Sequence, residues 1–386
     1  MGRYREIDLT RGLFILSVSW VHTAFFLSAF SPSEIFYYTE TFKKMTAFNY
    51  IAWTISEQIT PAGFFILMGI SIELSLPKES DLSTRIKFLY MRGLVISLIG
   101  YLTVMPLYLI GPLEAVDDIG KNGITPLFMM GIFVDLGLVL IFSALLRKTL
   151  NNISEHSRSK IFLLTGISLL IFSGLVEAFD SKLYLYVESL PTPLQCVVEG
   201  LLVAGKTGAF KSTFSFLPWL GYTLLGLYYG ARIASLHPKD YRKEIGIAFV
   251  LILMFLAVRH YHINSPEFFK NLFFIPKYPP SMPLSMISIA YFIIIINVFR
   301  VIVRFKKEYF LVSLLEKAGK NSLFIYLGHF YLFAVIGLII HKCTGHYVEN
   351  SLLLHAIWMG GMLLLVYISH TSWLTIKHKW PWLRYC

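Results

Sequence analysis

Asp8, Arg11 and His22 are spaced so that Arg11 follows Asp8 by 3 residues and His22 follows Arg11 by 11. On a helix of 3.6 residues per turn the last two differ by about 20° in azimuth and about 16 Å in height, so all three share one face. An arginine then marks one end of a polar stripe, and an imidazole lies deep along it. A neutral imidazole beside a buried carboxylate is a general base, because the carboxylate fixes the tautomer and stabilises the imidazolium that forms as a nucleophile gives up its proton. Glu57 and Asp135, each near the middle of a long apolar stretch, are the carboxylates available for that part. Plainer readings stand beside these. Asp8 and Arg11 also suit an interfacial i,i+3 pair, and His22 a buried interhelical hydrogen bond. Glu57 also suits a pairing with Lys43 or Lys44, and Glu73 a snorkelling position at a helix end.

The elements that hold these residues are membrane helices. Of 386 residues, 56% are hydrophobic and 15% charged, with a mean hydropathy of +0.64, whereas a soluble domain carries about a quarter charged residues. Apolar stretches that could span a bilayer run over 12–30, 48–76, 88–112, 124–146, 161–176, 213–235, 245–258, 284–303, 321–341 and 352–375. They predict an all-α, polytopic bundle of ten transmembrane helices in a single membrane domain, residues 1–386. An eleventh apolar piece, Leu194–Ala204, follows Pro193, carries Glu199 and reads as a re-entrant or interfacial segment.

The net charge of +11 is a topological signal, and nucleic acid is not an expected partner. One set of alternate loops, together with both termini, holds 24 of the 34 Lys and Arg. The positive-inside rule puts that side in the cytoplasm, with both termini there and an even number of crossings. Three Cys are too few for a disulfide scaffold; Cys196 and Cys343 both fall on the outer side, and no Cys/His spacing resembles a zinc site, so no metal is expected.

Thr60-Pro61-Ala62-Gly63 and Pro218-Trp219-Leu220-Gly221 interrupt the second and sixth stretches. Inside lipid such breaks survive only where protein or a cavity satisfies the freed backbone; both read as cavity wall, or as simple packing kinks. Lys206, Lys211, Arg259, His260, His262, Lys270 and Lys277, interleaved with aromatic residues, mark the outer loops around the sixth to eighth helices as an interfacial belt or a sugar platform.

Arg5-Glu6-Ile7-Asp8-Leu9-Thr10-Arg11-Gly12, running on to His22 as R-x10-H, resembles the first-helix signature of the transmembrane acyltransferase superfamily. Two branches share it: bacterial membrane O-acyltransferases of the acyltransferase-3 type, and bacterial relatives of the heparan-α-glucosaminide N-acetyltransferase catalytic domain. Four further stretches are similar to the second branch. They are Gly63-Phe64-Phe65-Ile66-Leu67-Met68-Gly69-Ile70-Ser71; Phe216-Leu217-Pro218-Trp219-Leu220-Gly221 with Leu225-Gly226; Lys277-Tyr278-Pro279-Pro280-Ser281; and Gly319-Lys320-Asn321-Ser322-Leu323-Phe324-Ile325-Tyr326 before His329. Their order and spacing extend the resemblance from Arg5 to about His329.

The resemblance implies an enzyme of a bacterial or archaeal cytoplasmic membrane. It would move an acyl group, acetyl above others, from acetyl-CoA or another acyl-CoA in the cytoplasm to a carbohydrate or glycan acceptor at the outer face. His22 would be the base, oriented by Glu57 or Asp135, and His329 a second base or acyl carrier. Arg11 and Lys320, with Asp8 and Asn321, would hold the donor's phosphates and adenine at the inner mouth. Trp219, Lys277 and Tyr326 would meet the acceptor, and Asn321, Ser322, Tyr326 and Trp219 are candidate oxyanion donors. The lipid bilayer is a constant partner, and a homo-oligomer is left open. Two rivals remain. One is O-acylation of a polysaccharide. The other is a transporter of a sugar, lipid or organic anion, against which stand broken helices four apart and in the same direction, where inverted repeats would put them five apart and opposed.

Overall fold

The structure is a computed structural model that describes residues 4–27, 59–76, 82–110, 132–178, 183, 185–187, 189–202, 215–233, 240–264, 280–305, 309–346, 348, 351–373, 375 and 379. Its elements are all helical: α1 (Arg5–Leu27), α2 (Thr60–Ser75), α3 (Leu82–Ile110), α4 (Ile132–Thr149), α5 (Glu155–Ala178), α6 (Thr192–Leu201), α7 (Phe216–Ile233), α8 (Asp240–Asn264), α9 (Met282–Arg304), α10 (Phe310–Lys320), α11 (Ser322–Thr344) and α12 (Ser351–Ile368), the last prolonged by a π turn, Ser369–Trp373. Four stretches, Glu155–Val176, Met282–Arg304, Ser322–Thr344 and Leu352–Thr371, are long and apolar enough to cross a membrane, and the chain is a multi-pass membrane protein. Each of the ten apolar stretches contains or overlaps a helix, and α6 covers most of the eleventh. The sequence reading did not anticipate α10, which lies in what it took for a loop between the eighth and ninth stretches.

The centre of the bundle is α2 against α7, both buried on nearly every face. Apolar side chains gain nothing by leaving lipid for one another, so helices in a membrane associate through close backbone packing. Gly69 and Gly226 make that possible. A Cβ on Gly69 would collide with the backbone of Thr223 and Leu227, and one on Gly226 with the carbonyl of Ile66. Around this pair α3 packs on α4, α5 on α7, and α8 on α9, while α1 touches α2, α9, α10, α11 and α12. Leu98, Leu102, Leu164, Phe249, Leu256 and Tyr367 point outward as an apolar rim suited to lipid.

Pro218 is not at the mid-helix break expected but in the first turn of α7, where the missing N–H has no intrahelical carbonyl to satisfy; for Pro61, the residues before Ile59 lie outside the described residues. α6 is a short amphipathic helix: Leu194, Val197 and Leu201 are exposed, while Gln195 and Glu199 are buried, with the Gln195 amide donating to Glu199 at 3.2 Å.

Buried charges inside a bundle must be paired, and two such sets join helices. Glu73, read from the sequence as a snorkelling group, is paired and its side chain only 9% exposed: Arg147 Nε donates to it at 2.8 Å and Arg158 lies at 3.6 Å, which ties α2 to α4 and α5. Glu244 Oε2 accepts from Arg300 at 2.9 Å, Asn297 at 3.0 Å and the Tyr229 hydroxyl at 2.5 Å, which ties α8 to α9 and α7.

Gly226→Leu will be more damaging than the roughly 1–3 kcal/mol of ordinary overpacking, because the neighbour that must yield is backbone. The expected outcome is a lower melting temperature and loss of the monodisperse peak in size-exclusion chromatography. Gly246→Leu, where an added Cβ meets nothing within 4 Å, will leave both unchanged.

Candidate active site

α1 is held along its length by the segment 310–337. At its N-terminal end Gly12 and Gly319 face each other so closely that a Cβ on Gly12 would strike the Leu315 carbonyl and one on Gly319 the Asp8 carbonyl. Arg11 reaches across this crossing: it donates to Asp8 at 3.3 Å, to Ser71 Oγ on α2 at 2.9 Å and, at 3.5 Å, to the carbonyl of Gly319. Asn321 is the break between α10 and α11, capping the end of one and the start of the other. Lys320, beside it, is exposed and donates to Glu316 Oε1 at 2.5 Å, while Arg5 donates to Glu316 Oε2 at 2.5 Å. Asp8, Arg11, Lys320 and Asn321 therefore share one corner of the molecule, with Ser71 and Glu316 as members that the sequence reading missed. Ser71 closes the stretch Gly63–Ser71, and Glu316 precedes Lys320 by one helical turn; these were the available signals.

Three helical turns along α1, His22 Nδ1 lies 2.8 Å from His329 Nε2 on α11, the rings coplanar to within 1°. His329 is fully buried, and its Nδ1 lies 3.1 Å from the Ile325 carbonyl. A carbonyl only accepts, so His329 donates there through Nδ1–H. In the neutral pair its Nε2 then accepts the proton of His22 Nδ1, and His22 Nε2 carries the basic lone pair. Aromatic rings enclose the pair: Phe330 at 4.5 Å from both imidazoles, Tyr326 at 5.2 Å from His329 and 6.2 Å from His22, with Phe133 and Phe64 edge-on to Tyr326. Such a wall excludes water from one side of the imidazoles and keeps their hydrogen bond strong.

Asp135 is on α4, two residues after the Phe133 that meets Tyr326; it is wholly buried, and neither oxygen has a hydrogen-bond partner among the described residues. Trp219 is buried in the α7 core between Phe65 and Tyr222, with ring centroids 5.1 and 5.5 Å away. Glu57 and Lys277 lie outside the described residues, as does most of the basic outer cluster. The last residues of Lys277–Ser281 are described: Pro280 accepts from Ser173 at 2.8 Å, and Ser281 caps α9 through Leu284 N–H. Cys343 is a free, exposed thiol. Among the described residues no group of three or more His, Cys, Asp or Glu is arranged to hold a metal ion.

The family described as heparan-alpha-glucosaminide N-acetyltransferase, catalytic, matches residues 3–260. No curated protein matches the chain. The matched region contains Asp8, Arg11, His22 and Ser71; Gly319, Asn321 and His329 come to them from beyond it.

Partial burial raises the Glu316 carboxyl, but hydrogen bonds from Lys320 and Arg5 outweigh it and hold the group below the ordinary glutamate range. A depressed carboxylate stabilises the fold above its unfolded pKa, and that contribution fades as the pH falls through the folded one. Glu316→Gln will therefore melt below wild type at pH 7, and the gap will close as the pH drops below about 4.3. Melting curves over an acid pH series check this.

Proposed function

We propose, because this chain belongs to the heparan-alpha-glucosaminide N-acetyltransferase catalytic family and is therefore an acetyltransferase of the membrane, that it carries acetyl from acetyl-CoA on the cytoplasmic side to the amine of an amino-sugar acceptor at the outer face. In this reading ten helices cross the bilayer with both termini inside. The Arg11 end of α1 faces the cytoplasm, as the bias of 24 of 34 basic residues supports. The observation that carries the reading is the His22–His329 pair at the far end of a stripe that begins at Arg11.

Arg11, Lys320 and the Asn321 amide hold the anionic and polar parts of the donor at the inner mouth, with Asp8 and Ser71 fixing Arg11. The thioester then lies up to about 16 Å deeper, beside His22. His22 Nε2 takes the proton of the acceptor nitrogen as that nitrogen attacks the thioester carbonyl. The C–N bond forms, the C–S bond breaks, and His22 returns the proton to the departing thiolate. His329 holds the ring: it accepts from His22 Nδ1 and passes the developing charge towards the Ile325 carbonyl. Tyr326, edge-on to both rings, is the donor nearest the reacting carbonyl. Glu57, Asp135, Trp219 and Lys277 remain candidates for orienting or acceptor contacts.

Turnover of acetyl-CoA by protein in lipid nanodiscs, with glucosamine-terminated acceptors or water as the nucleophile, tests this. His22→Ala will lower kcat by about 10²–10⁴ while the donor still binds. His329→Leu will fall with it, whereas His329→Gln, whose amide oxygen accepts from His22 Nδ1, will recover part of the rate. Undiminished turnover in His22→Ala would remove the base from the scheme. Absence of donor binding by folded wild type would remove the donor.

A further inference from the structure

We propose that the facing ends of α8, α9 and α10 form a docking surface for anionic phospholipid headgroups, and that the bound lipid holds α10 against α1. α10 has 11 residues, about half of what a bilayer crossing needs, so it lies along an interface. Its first turn and the end of α9 are apolar and uncovered: Phe305, Phe310 and Leu311 are 70%, 71% and 66% exposed, with Tyr309 beside them. Water is a poor neighbour for such a tip. The boundary between headgroups and acyl chains suits it, and the tip continues the apolar surface of α9 at Val298 and Val301.

Beside the tip is positive charge. The Arg304 guanidinium lies 4.7 Å over the ring of Tyr241, and the next residues on α8, Arg242 and Lys243, are exposed. Among the described side chains beside these cations the acid is Glu244, which is buried and committed to Arg300. Exposed cations beside aromatic and aliphatic side chains at a membrane boundary match a phosphate headgroup with its acyl chains. The charges recruit the headgroup, and Phe310 and Leu311 enter the leaflet below it.

α10 carries Glu316, which accepts from Arg5 of α1, and Gly319, whose carbonyl accepts from Arg11 of α1, while Lys320 donates to Glu316 within α10. Lipid that fixes α10 at the interface thus fixes the corner assigned above to the donor. This second effect rests on that assignment, whereas the lipid surface does not.

The test uses the full chain, purified in detergent and in nanodiscs. Native mass spectrometry counts phosphatidylglycerol retained by wild type, by Arg242→Gln/Lys243→Gln/Arg304→Gln, and by Phe310→Ser/Leu311→Ser, each first shown to be monodisperse and helical. Calorimetry then gives the acetyl-CoA Kd in pure phosphatidylcholine and in its mixture with phosphatidylglycerol. Wild type will retain phosphatidylglycerol and bind acetyl-CoA several-fold more tightly in the mixture. The charge variant will lose both, and the apolar variant will lose the difference in Kd. Equal retention by wild type and the charge variant would overturn the surface, as would glycerol phosphate reproducing the effect in pure phosphatidylcholine. Retention that depends on the three cations, with no acetyl-CoA binding in either lipid, would support the surface and overturn the donor assignment.

Discussion

Everything distinctive about this molecule depends on how closely α1 is approached by α10 and α11. Gly12 and Gly319 remove the side chains at one crossing, and Gly337 lies against the Phe26 carbonyl at the other end of α1. Between these contacts the separation of the helices is set by backbone atoms, which do not compress. The 2.8 Å contact of His22 with His329 is a result of that spacing. Two imidazoles on helices held at ordinary separations, 8–10 Å between axes, would depend on rotamer choice to meet; here the glycines make the meeting a property of the backbone.

The second constraint is that the low-dielectric interior tolerates charge only in company. Glu73 with Arg147 and Arg158, and Glu244 with Arg300, meet it by joining three helices at each carboxylate. Arg11 meets it with a carboxylate, a hydroxyl and a backbone carbonyl from three different helices. Asp135 is the exception among the described residues: buried on α4 and without a hydrogen bond.

Periodicity and charge made much of this legible. Composition and apolar run lengths foretold an all-helical membrane protein, and the stripe from Arg11 to His22 is a matter of 3.6 residues per turn. The partner of His22 was not legible in the same way. A carboxylate on the second or fourth helix was the chemical expectation, of which Glu57 lies outside the described residues; His329 meets His22 because α1 and α11, 307 residues apart at that contact, pack side by side. Helix adjacency is a three-dimensional choice that no single helix records. The partners of Glu73 were hidden for a related reason: its place near the end of α2 suggested an interfacial group, and nothing in its own segment announced Arg147 and Arg158. The sequence did carry the stretches Arg5–Gly12, Gly63–Ser71 and Gly319–His329. The first two lie within the family match and the third beyond it, and the fold brings all three together at Arg11.

The hydrogen-bonded line that starts at His22 runs through His329 and stops at the carbonyl of Ile325. A carbonyl oxygen has no proton to release and no second site from which to pass one on. The pair can share a proton during a reaction, but it cannot hand that proton to the opposite side. A buried imidazole relay in a membrane protein invites a proton leak, and this one ends in an insulator.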